Sequence, residues 1–257
     1  MTLHSGVDDQ NWRQAPLMRP IAFAHRGARA NAPENTLEAF VLARRLGATG
    51  LESDVWVTAD GHAVLDHDGV VRSGIGRGGI ARGTVVRRKP IRETQRKALP
   101  SHIPGLDELY NTCGTDFDLS LDLKDDDALD AVLATVQAAG SNAGERFWLC
   151  HPRWEQLALW RPRCTEIRLV DSTRLRNLKD GPERHAARLG NAGIDAINMH
   201  YSDWTLGLTT LFHRFDRFVF GWDAQQERML RDLVRMEIDG LYCDDVERMM
   251  RVVAPSP

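Results

Sequence analysis

One pattern restricts the fold of this chain more than any other. A short apolar or β-branched run is followed by a polar cluster and then by a helical period, and the unit recurs eight times. The runs are Ile21 to His25, Gly50 to Val55, Phe117 to Lys124, Arg146 to His151, Glu166 to Asp171, Ile194 to Met199, Arg217 to Trp222 and Gly240 to Asp244. Between them, stretches such as "NTLEAFVLARRLG", "DALDAVLATVQAAG", "ERHAARLGNAG" and "AQQERMLRDLVRMEIDG" carry apolar residues at three and four with a glycine after the last turn, the signature of amphipathic helices. "GLDELYNTCG" and "RWEQLALWR" are shorter candidates, and "DWTLGLTTLFHR" and "VERMMRVV" complete the alternation. Asn35 stands where an N-cap would, with Glu38 three residues on.

Alternating strands and helices point to an α/β fold with a parallel sheet. Eight units in 257 residues predict a (β/α)₈ TIM barrel, which uses about 250 residues. An open doubly wound sheet is the alternative, but no glycine-rich dinucleotide fingerprint follows the first strand. The barrel is expected over residues 21–257 after an N-terminal extension, 1–20, with a hairpin and loop insertion after the second strand.

A barrel of this kind carries its chemistry on the C-terminal ends of its strands. Polar residues gather at those ends: His25 and Arg26, Glu52 and Asp54, Asp122 and Lys124, His151, Asp171 and Ser172, Asn198 and His200, Trp222 and Asp223, and Asp244 with Asp245. Residues two apart on a strand share a face, so Glu52 lies beside Asp54 and Asp122 beside Lys124. In "FDLSLDLK" the leucines and Phe117 would face the helices, leaving Asp118, Ser120, Asp122 and Lys124 turned inward. Three carboxylates in one mouth repel one another unless a cation sits among them. All-oxygen donors suit magnesium, calcium or manganese better than zinc.

The stretch "GLESDVWVTADGHAVLDHDG" adds a histidine to this mouth. A two-residue turn at Asp60-Gly61 would set His67 opposite Asp54, close enough for the imidazole to work beside the acids. His25 brings a second imidazole and Arg26 a guanidinium. Two histidines, a metal and cationic side chains suit displacement at phosphorus, and a phosphodiester is the economical substrate. Glu34 is expected to orient Arg26, and Trp222 to pack over the mouth, where its ring could meet a ligand cation. His151 and His200 are further candidates for the pocket lining, while His4, His62, His102, His185 and His213 are read as structural or surface residues.

A net charge of −3 gives no support to nucleic-acid binding. The four cysteines are scattered without a C-x-x-C pair, which disfavours a zinc site or disulfide framework and fits a reducing compartment. No run reaches the roughly 18 apolar residues of a membrane span, and the first residues lack the pattern of a secretory signal, so a cytoplasmic location without membrane insertion is expected. The basic segment from Arg77 to Lys97, whose single acid is Glu93, is expected to be a solvated loop. Nothing in the pattern sets an oligomeric state.

The blocks "HRGARANAPENTLEAF", "GLESDVWVTADGHAVLDHD", "IPGLDELY", "LSLDLK" and "DGLYCDD" resemble, in order and spacing, the glycerophosphodiester phosphodiesterase family. The resemblance implies a TIM barrel in which His25 and His67 are the acid/base pair and Glu52, Asp54 and Asp122 hold a divalent cation. Arg26 and Lys124 would bind the phosphate of a small glycerophosphodiester, giving sn-glycerol 3-phosphate and an alcohol. Asp122 departs from the family's usual glutamate and is one methylene shorter, as in the similar sphingomyelinase D-like phospholipases. A lyase that forms a cyclic phosphate from lysophospholipids is therefore an alternative, and a non-catalytic phosphate-binding barrel is one of another class. The closing "CDDVE" also departs from the family's Thr-Asp-x-Pro, and residues 69–104 fill the place of the family's inserted subdomain.

Overall fold

The structure is a computed structural model that describes residues 19–73 and 87–254. Apart from its last two residues, the extension expected over 1–20 lies outside the described residues, as does His4, and so does the 77–86 part of the basic segment.

Eleven strands are described: β1 (Ile21–His25), β2 (Gly50–Val57), β3 (Ala63–Leu65), β4 (Val70–Ser73), β5 (Arg87–Pro90), β6 (Asp118–Leu123), β7 (Phe147–His151), β8 (Arg168–Ser172), β9 (Ala196–His200), β10 (Phe218–Trp222) and β11 (Gly240–Cys243). The nine α-helices described are α1 (Leu37–Arg45), α2 (Leu106–Cys113), α3 (Leu129–Ala139), α4 (Ser141–Glu145), α5 (Trp154–Trp160), α6 (Pro182–Asn191), α7 (Leu206–Arg214), α8 (Glu227–Arg235) and α9 (Val246–Val253). Parallel pairing runs β1-β11-β10-β9-β8-β7-β6-β2 and closes through β1–β2, which makes the expected barrel of eight parallel strands. Six of the eight runs lie close to their predicted bounds. The strands predicted from Glu166 and Ile194 begin two residues later, at Arg168 and Ala196.

Two cores form because alternate residues of each strand face opposite ways. Leu51, Leu119, Leu121, Leu149, Leu169, Ile197, Val219 and Leu241 face outward and pack with the apolar stripes of the helices in the main core. Inside the barrel lie Ile21, Phe23, Trp148, Cys150, Val170, Ala196, Phe220 and Tyr242. Phe23 stacks on Tyr242 with ring centroids 4.7 Å apart and meets Phe220 edge-on at 5.6 Å. This aromatic plug fills the barrel as a packed core and leaves the inward positions at the C-terminal rim to polar residues.

Helix α1 is capped by Thr36, whose hydroxyl accepts from the Ala39 N–H at 3.2 Å, and not by Asn35 as expected. Asn35 is instead buried with φ 54°. α9, one of the faintest helices in sequence, is capped by Asp245, whose carboxylate accepts from the Arg248 N–H at 2.9 Å.

The hairpin after β2 corrects the expected register. β3 pairs antiparallel with β2 through Val55↔Leu65, Trp56↔Val64 and Val57↔Ala63. The loop has three residues, with Gly61 at φ +82° and its N–H bonded to the Thr58 carbonyl at 3.0 Å. A left-handed glycine ending a three-residue loop adds one residue to the two-residue turn the Asp-Gly pair predicts, and a one-residue slip exchanges the faces. Asp66, not His67, therefore lies opposite Asp54, and its N–H donates to the Asp54 carbonyl at 3.0 Å.

The insertion is a small unit in its own right. β4 and β5 pair antiparallel from Val70↔Pro90 to Ser73↔Arg87, and Val64, Ile91, Leu99 and Ile103 form a third apolar cluster with Trp56 and Val71 packed against it. Gly69 turns the chain at φ +68°, where an added Cβ would lie 2.4 Å from the Trp56 ring.

Candidate active site

The inward residues at the rim converge on one cleft of about 420 Å³, lined by His25, Arg26, Glu52, Asp54, Asp122, Lys124, Ser172, Asn198, Trp222, Asp223 and Tyr242. Strand register brings the acids together: Asp54 lies beside Asp122 on β6, and Glu52 beside His25 on β1. One oxygen from each of Glu52, Asp54 and Asp122 falls within 4.8 Å of the others. Glu52 and Asp54 are buried, while Asp122 is half-buried.

Within the chain the acids are countered by cationic side chains. Lys124 Nζ sits 3.0 Å from Asp54 Oδ1 and 3.1 Å from Asp122 Oδ2. Arg26, held at φ 54° just after β1, places Nε 3.2 Å from Asp54 Oδ2 and donates its backbone N–H to Glu52 Oε2 at 2.9 Å. Burial alone would lower the Lys124 pKa, but Asp122 and Asp54 outweigh it and hold the ammonium above its ordinary value. Burial, together with the negative neighbours Asp54 and Asp122, pushes the Glu52 carboxyl up to about 8 despite the opposing pull of His25.

These residues fit a hard divalent cation. The donors are all oxygen, two of the three carboxylates are buried, and Glu52 is driven toward its neutral form by burial and then by neighbouring charges that a dication would offset.

His25 is gripped from both sides. Its Nδ1 is 2.7 Å from Asp244 Oδ1, and its Nε2 is 3.8 Å from Glu52 Oε2. Burial works to lower its pKa, but Glu52 and Asp244 outweigh that effect and hold the imidazole above its ordinary value. Glu34 contacts Arg26 at 3.2 Å and also Arg29 at 3.1 Å.

His67 lies just past β3 and is not among the residues lining the cleft. Its Nδ1 is 3.0 Å from Asp68 Oδ1, and its side chain is 42% exposed. The His67 hydrogen bond does most to hold the Asp68 carboxyl below its ordinary value, with Arg72 next among the positive neighbours.

His151 corrects another expectation. Cys150 is the residue of that pair that faces inward, so His151 points to the helices. There its Nε2 lies 3.1 Å from Asp126 and its ring meets Trp160 edge-on at 5.1 Å. Asp171 is likewise outward, 2.7 Å from His185 on α6. His200 faces inward but stands behind the lining, edge-on to Trp222 at 4.7 Å and 3.3 Å from Asp223 Oδ2. Trp222 lines the cleft, with the Arg174 guanidinium 5.6 Å from its ring centre.

Several residues of the site escaped the sequence reading of roles. Asn35 carries Ser53 Oγ on its Oδ1 at 2.7 Å and reaches Asp54 Oδ2 with its Nδ2 at 3.5 Å, so it steadies a cluster acid from behind. Tyr242 closes the floor through a 2.9 Å hydrogen bond with Ser120. Asn198 presents a buried Oδ1 without a hydrogen-bond partner beside the cleft. A helix-start pattern hid Asn35, and strand-interior positions hid Tyr242.

Curated relatives match over short stretches. A glycerophosphodiester phosphodiesterase from Caldanaerobacter subterraneus subsp. tengcongensis is 52% identical over 54 residues, covering 21% of this chain and 22% of that protein. Glycerophosphodiester phosphodiesterase 1 of Rattus norvegicus is 52% identical over 56 residues, covering 22% and 17%. The matched stretch thus spans about a fifth of these relatives. Solved structures match across the fold. The glycerophosphodiester phosphodiesterase of Thermotoga maritima superposes with a TM-score of 0.73 at 22% identity, covering 90% of this chain and 97% of that one. An Oleispira antarctica phosphodiesterase, solved in complex with the product sn-glycerol-3-phosphate, gives 0.73 at 18% identity, covering 92% and 98%. Because the model of the glycerophosphoryl diester phosphodiesterase family matches residues 25–248, nearly the whole barrel with its cleft, the chain belongs to that family.

Proposed function

We propose that this protein hydrolyses small glycerophosphodiesters to sn-glycerol 3-phosphate and an alcohol. A divalent cation, magnesium, calcium or manganese, would be held by Glu52, Asp54 and Asp122, with His25 and His67 as the acid/base pair. The observation that carries the reading is the convergence of three carboxylates within 4.8 Å at a barrel mouth that also holds His25, Arg26 and Lys124. We assign the activity to a single domain, residues 21–257, following an extension over 1–20, and place the protein in the cytoplasm, in keeping with its free cysteines.

Bound there, the cation would supply charge neutralisation and Lewis acidity at the phosphoryl group. Arg26 and Lys124 would hold the non-bridging oxygens of the phosphate and oppose the charge that grows on them. His25, whose pKa Asp244 and Glu52 raise against the lowering effect of burial, is suited to begin as the acid. His67 takes the remaining role. It accepts the proton of the glycerol hydroxyl next to the ester as that oxygen bonds to phosphorus, while His25 gives its proton to the departing alcohol. Water then opens the cyclic phosphate with the roles reversed: His25 takes the water proton and His67 returns its own to the glycerol oxygen. This role requires the His67 loop to close over the cleft, because its side chain lies outside the lining.

The test incubates pure protein with a panel of glycerophosphodiesters and a lysophospholipid, with EDTA or with each of the three cations, and resolves the phosphorus products. Turnover to glycerol 3-phosphate is expected with cation only, and His67→Ala should abolish it without lowering the melting temperature. No turnover under any cation refutes the enzyme reading. A cyclic product that persists points to the lyase instead.

A further inference from the structure

We propose that Asp244 is a positioning residue for His25. Its carboxylate holds the imidazole by Nδ1 and so turns Nε2 toward Glu52 and the cleft. This rests on the acid/base role given to His25 above.

Barrel closure creates the pair. β1 lies against β11 with Ala24 beside Cys243, and the next residues, His25 and Asp244, continue on adjacent strands at the rim. The contact between them, 2.7 Å, is short for a nitrogen–oxygen pair and links an imidazole to a carboxylate. Opposite it, Nε2 looks toward Glu52 Oε2 at 3.8 Å, a span that leaves this nitrogen directed at the lined space. Holding one ring nitrogen fixes which nitrogen faces the reaction.

Asp244 is itself held. Its backbone N–H donates to Gln225 Oε1 at 3.0 Å, and Arg29 Nε stands 3.7 Å from its Oδ2. Arg29 then reaches Glu34 at 3.1 Å, and Glu34 reaches Arg26 at 3.2 Å. One chain of ion pairs therefore sets both the imidazole and the guanidinium of the mouth. The ordinary structural duty for an acid at this point is to cap α9, and that duty falls to Asp245. Asp244 makes no hydrogen bond to a backbone N–H of the helix.

Asp244→Asn keeps the shape and loses the charge, Asp244→Ala loses both, and Asp244→Glu restores the charge on a longer stem. In the full chain with manganese and glycerophosphocholine, Asp244→Asn and Asp244→Ala should lower kcat about 10- to 100-fold with KM nearly unchanged, and Asp244→Glu should recover part of it. In ¹⁵N-labelled protein without substrate, a downfield His25 Nδ1–H proton should be present in the wild type and in Asp244→Glu and lost in Asp244→Ala. Asp245→Ala, which removes only the cap, should lower the melting temperature and leave kcat intact. Wild-type kcat in Asp244→Ala, or a loss confined to KM, overturns the proposal. So does a His25 Nδ1–H signal unchanged by Asp244→Ala. If the wild type fails to turn over the diester, the functional reading falls, and the Nδ1–H comparison alone decides whether Asp244 sets the ring.

Discussion

Replacing Lys124 by methionine separates the ion pairs its ammonium makes with Asp54 and Asp122 from the phosphate contact proposed for it. The stem is kept, so packing changes little, but the charge 3.0 Å from Asp54 and 3.1 Å from Asp122 is gone. The two partners differ in what they lose. Asp122 is 32% exposed on its side chain, and water replaces most of an exposed ion pair, at a cost of about 0–1 kcal/mol. Asp54 is 2% exposed, and a buried acid stripped of its partner costs about 3–5 kcal/mol. Arg26 remains 3.2 Å from the other oxygen of Asp54, which retains roughly half of that compensation. The sum is about 2–3 kcal/mol, or about 5–10 °C in melting temperature for a domain of this size. In EDTA the variant should melt lower by that amount. A divalent cation now faces the acids without a competing ammonium, so it should bind about 10- to 100-fold more tightly and recover most of the deficit, even though the phosphate contact proposed for Lys124 is lost. Calorimetric titration and melting curves with and without cation measure both effects. Equal melting of variant and wild type in EDTA, or an equal upward shift of both by cation, would refute the account of Lys124 as the internal counter-charge.

Other outcomes follow from the same geometry. The folded-state pKa values of Glu52, at about 8, and of His25 lie above their ordinary values, so the native state binds more protons than the unfolded one across the neutral range. In EDTA, stability should therefore fall as pH rises from about 5 to 8, and Glu52→Gln should flatten the slope; denaturant midpoints at several pH values check this. Gly69→Ala should destabilise by roughly 2 kcal/mol or more, because its Cβ would strike Trp56 2.4 Å away from a backbone at φ +68°, and urea unfolding reads the loss. His151→Ala should cost stability, about 1–3 kcal/mol, through Asp126 and Trp160, while KM for the diester stays unchanged, which steady-state kinetics would show.

The barrel was legible because strand and helix periods repeat along the chain, and inward carboxylates at strand ends were legible because residues two apart share a face. That alternation placed Glu52, Asp54, Asp122 and Lys124 in one mouth from spacing alone. It failed where one residue of offset decides the face. The strand pattern places His151 at the rim, although Cys150 beside it takes the inward position. His67 was set against Asp54 by a two-residue turn, whereas Gly61 in the left-handed region lengthens the loop by one. Asn35 and Asp244 were hidden for another reason. Each acts through a contact across the sequence, from Asn35 to Ser53 and from Asp244 to His25, and no local pattern records such a contact.

The third apolar cluster gives the two proposed acid/base histidines different anchors. His25 stands on a strand of the closed barrel, whereas His67 hangs from a short β3 braced by Ile91, Leu99 and Ile103 of the insertion. The barrel is one cooperative body, but this brace is a small one built on four buried side chains. Heat should therefore abolish the proposed activity before it melts the protein: the brace would loosen first and carry one half of the proposed proton relay away from a cleft that is still intact.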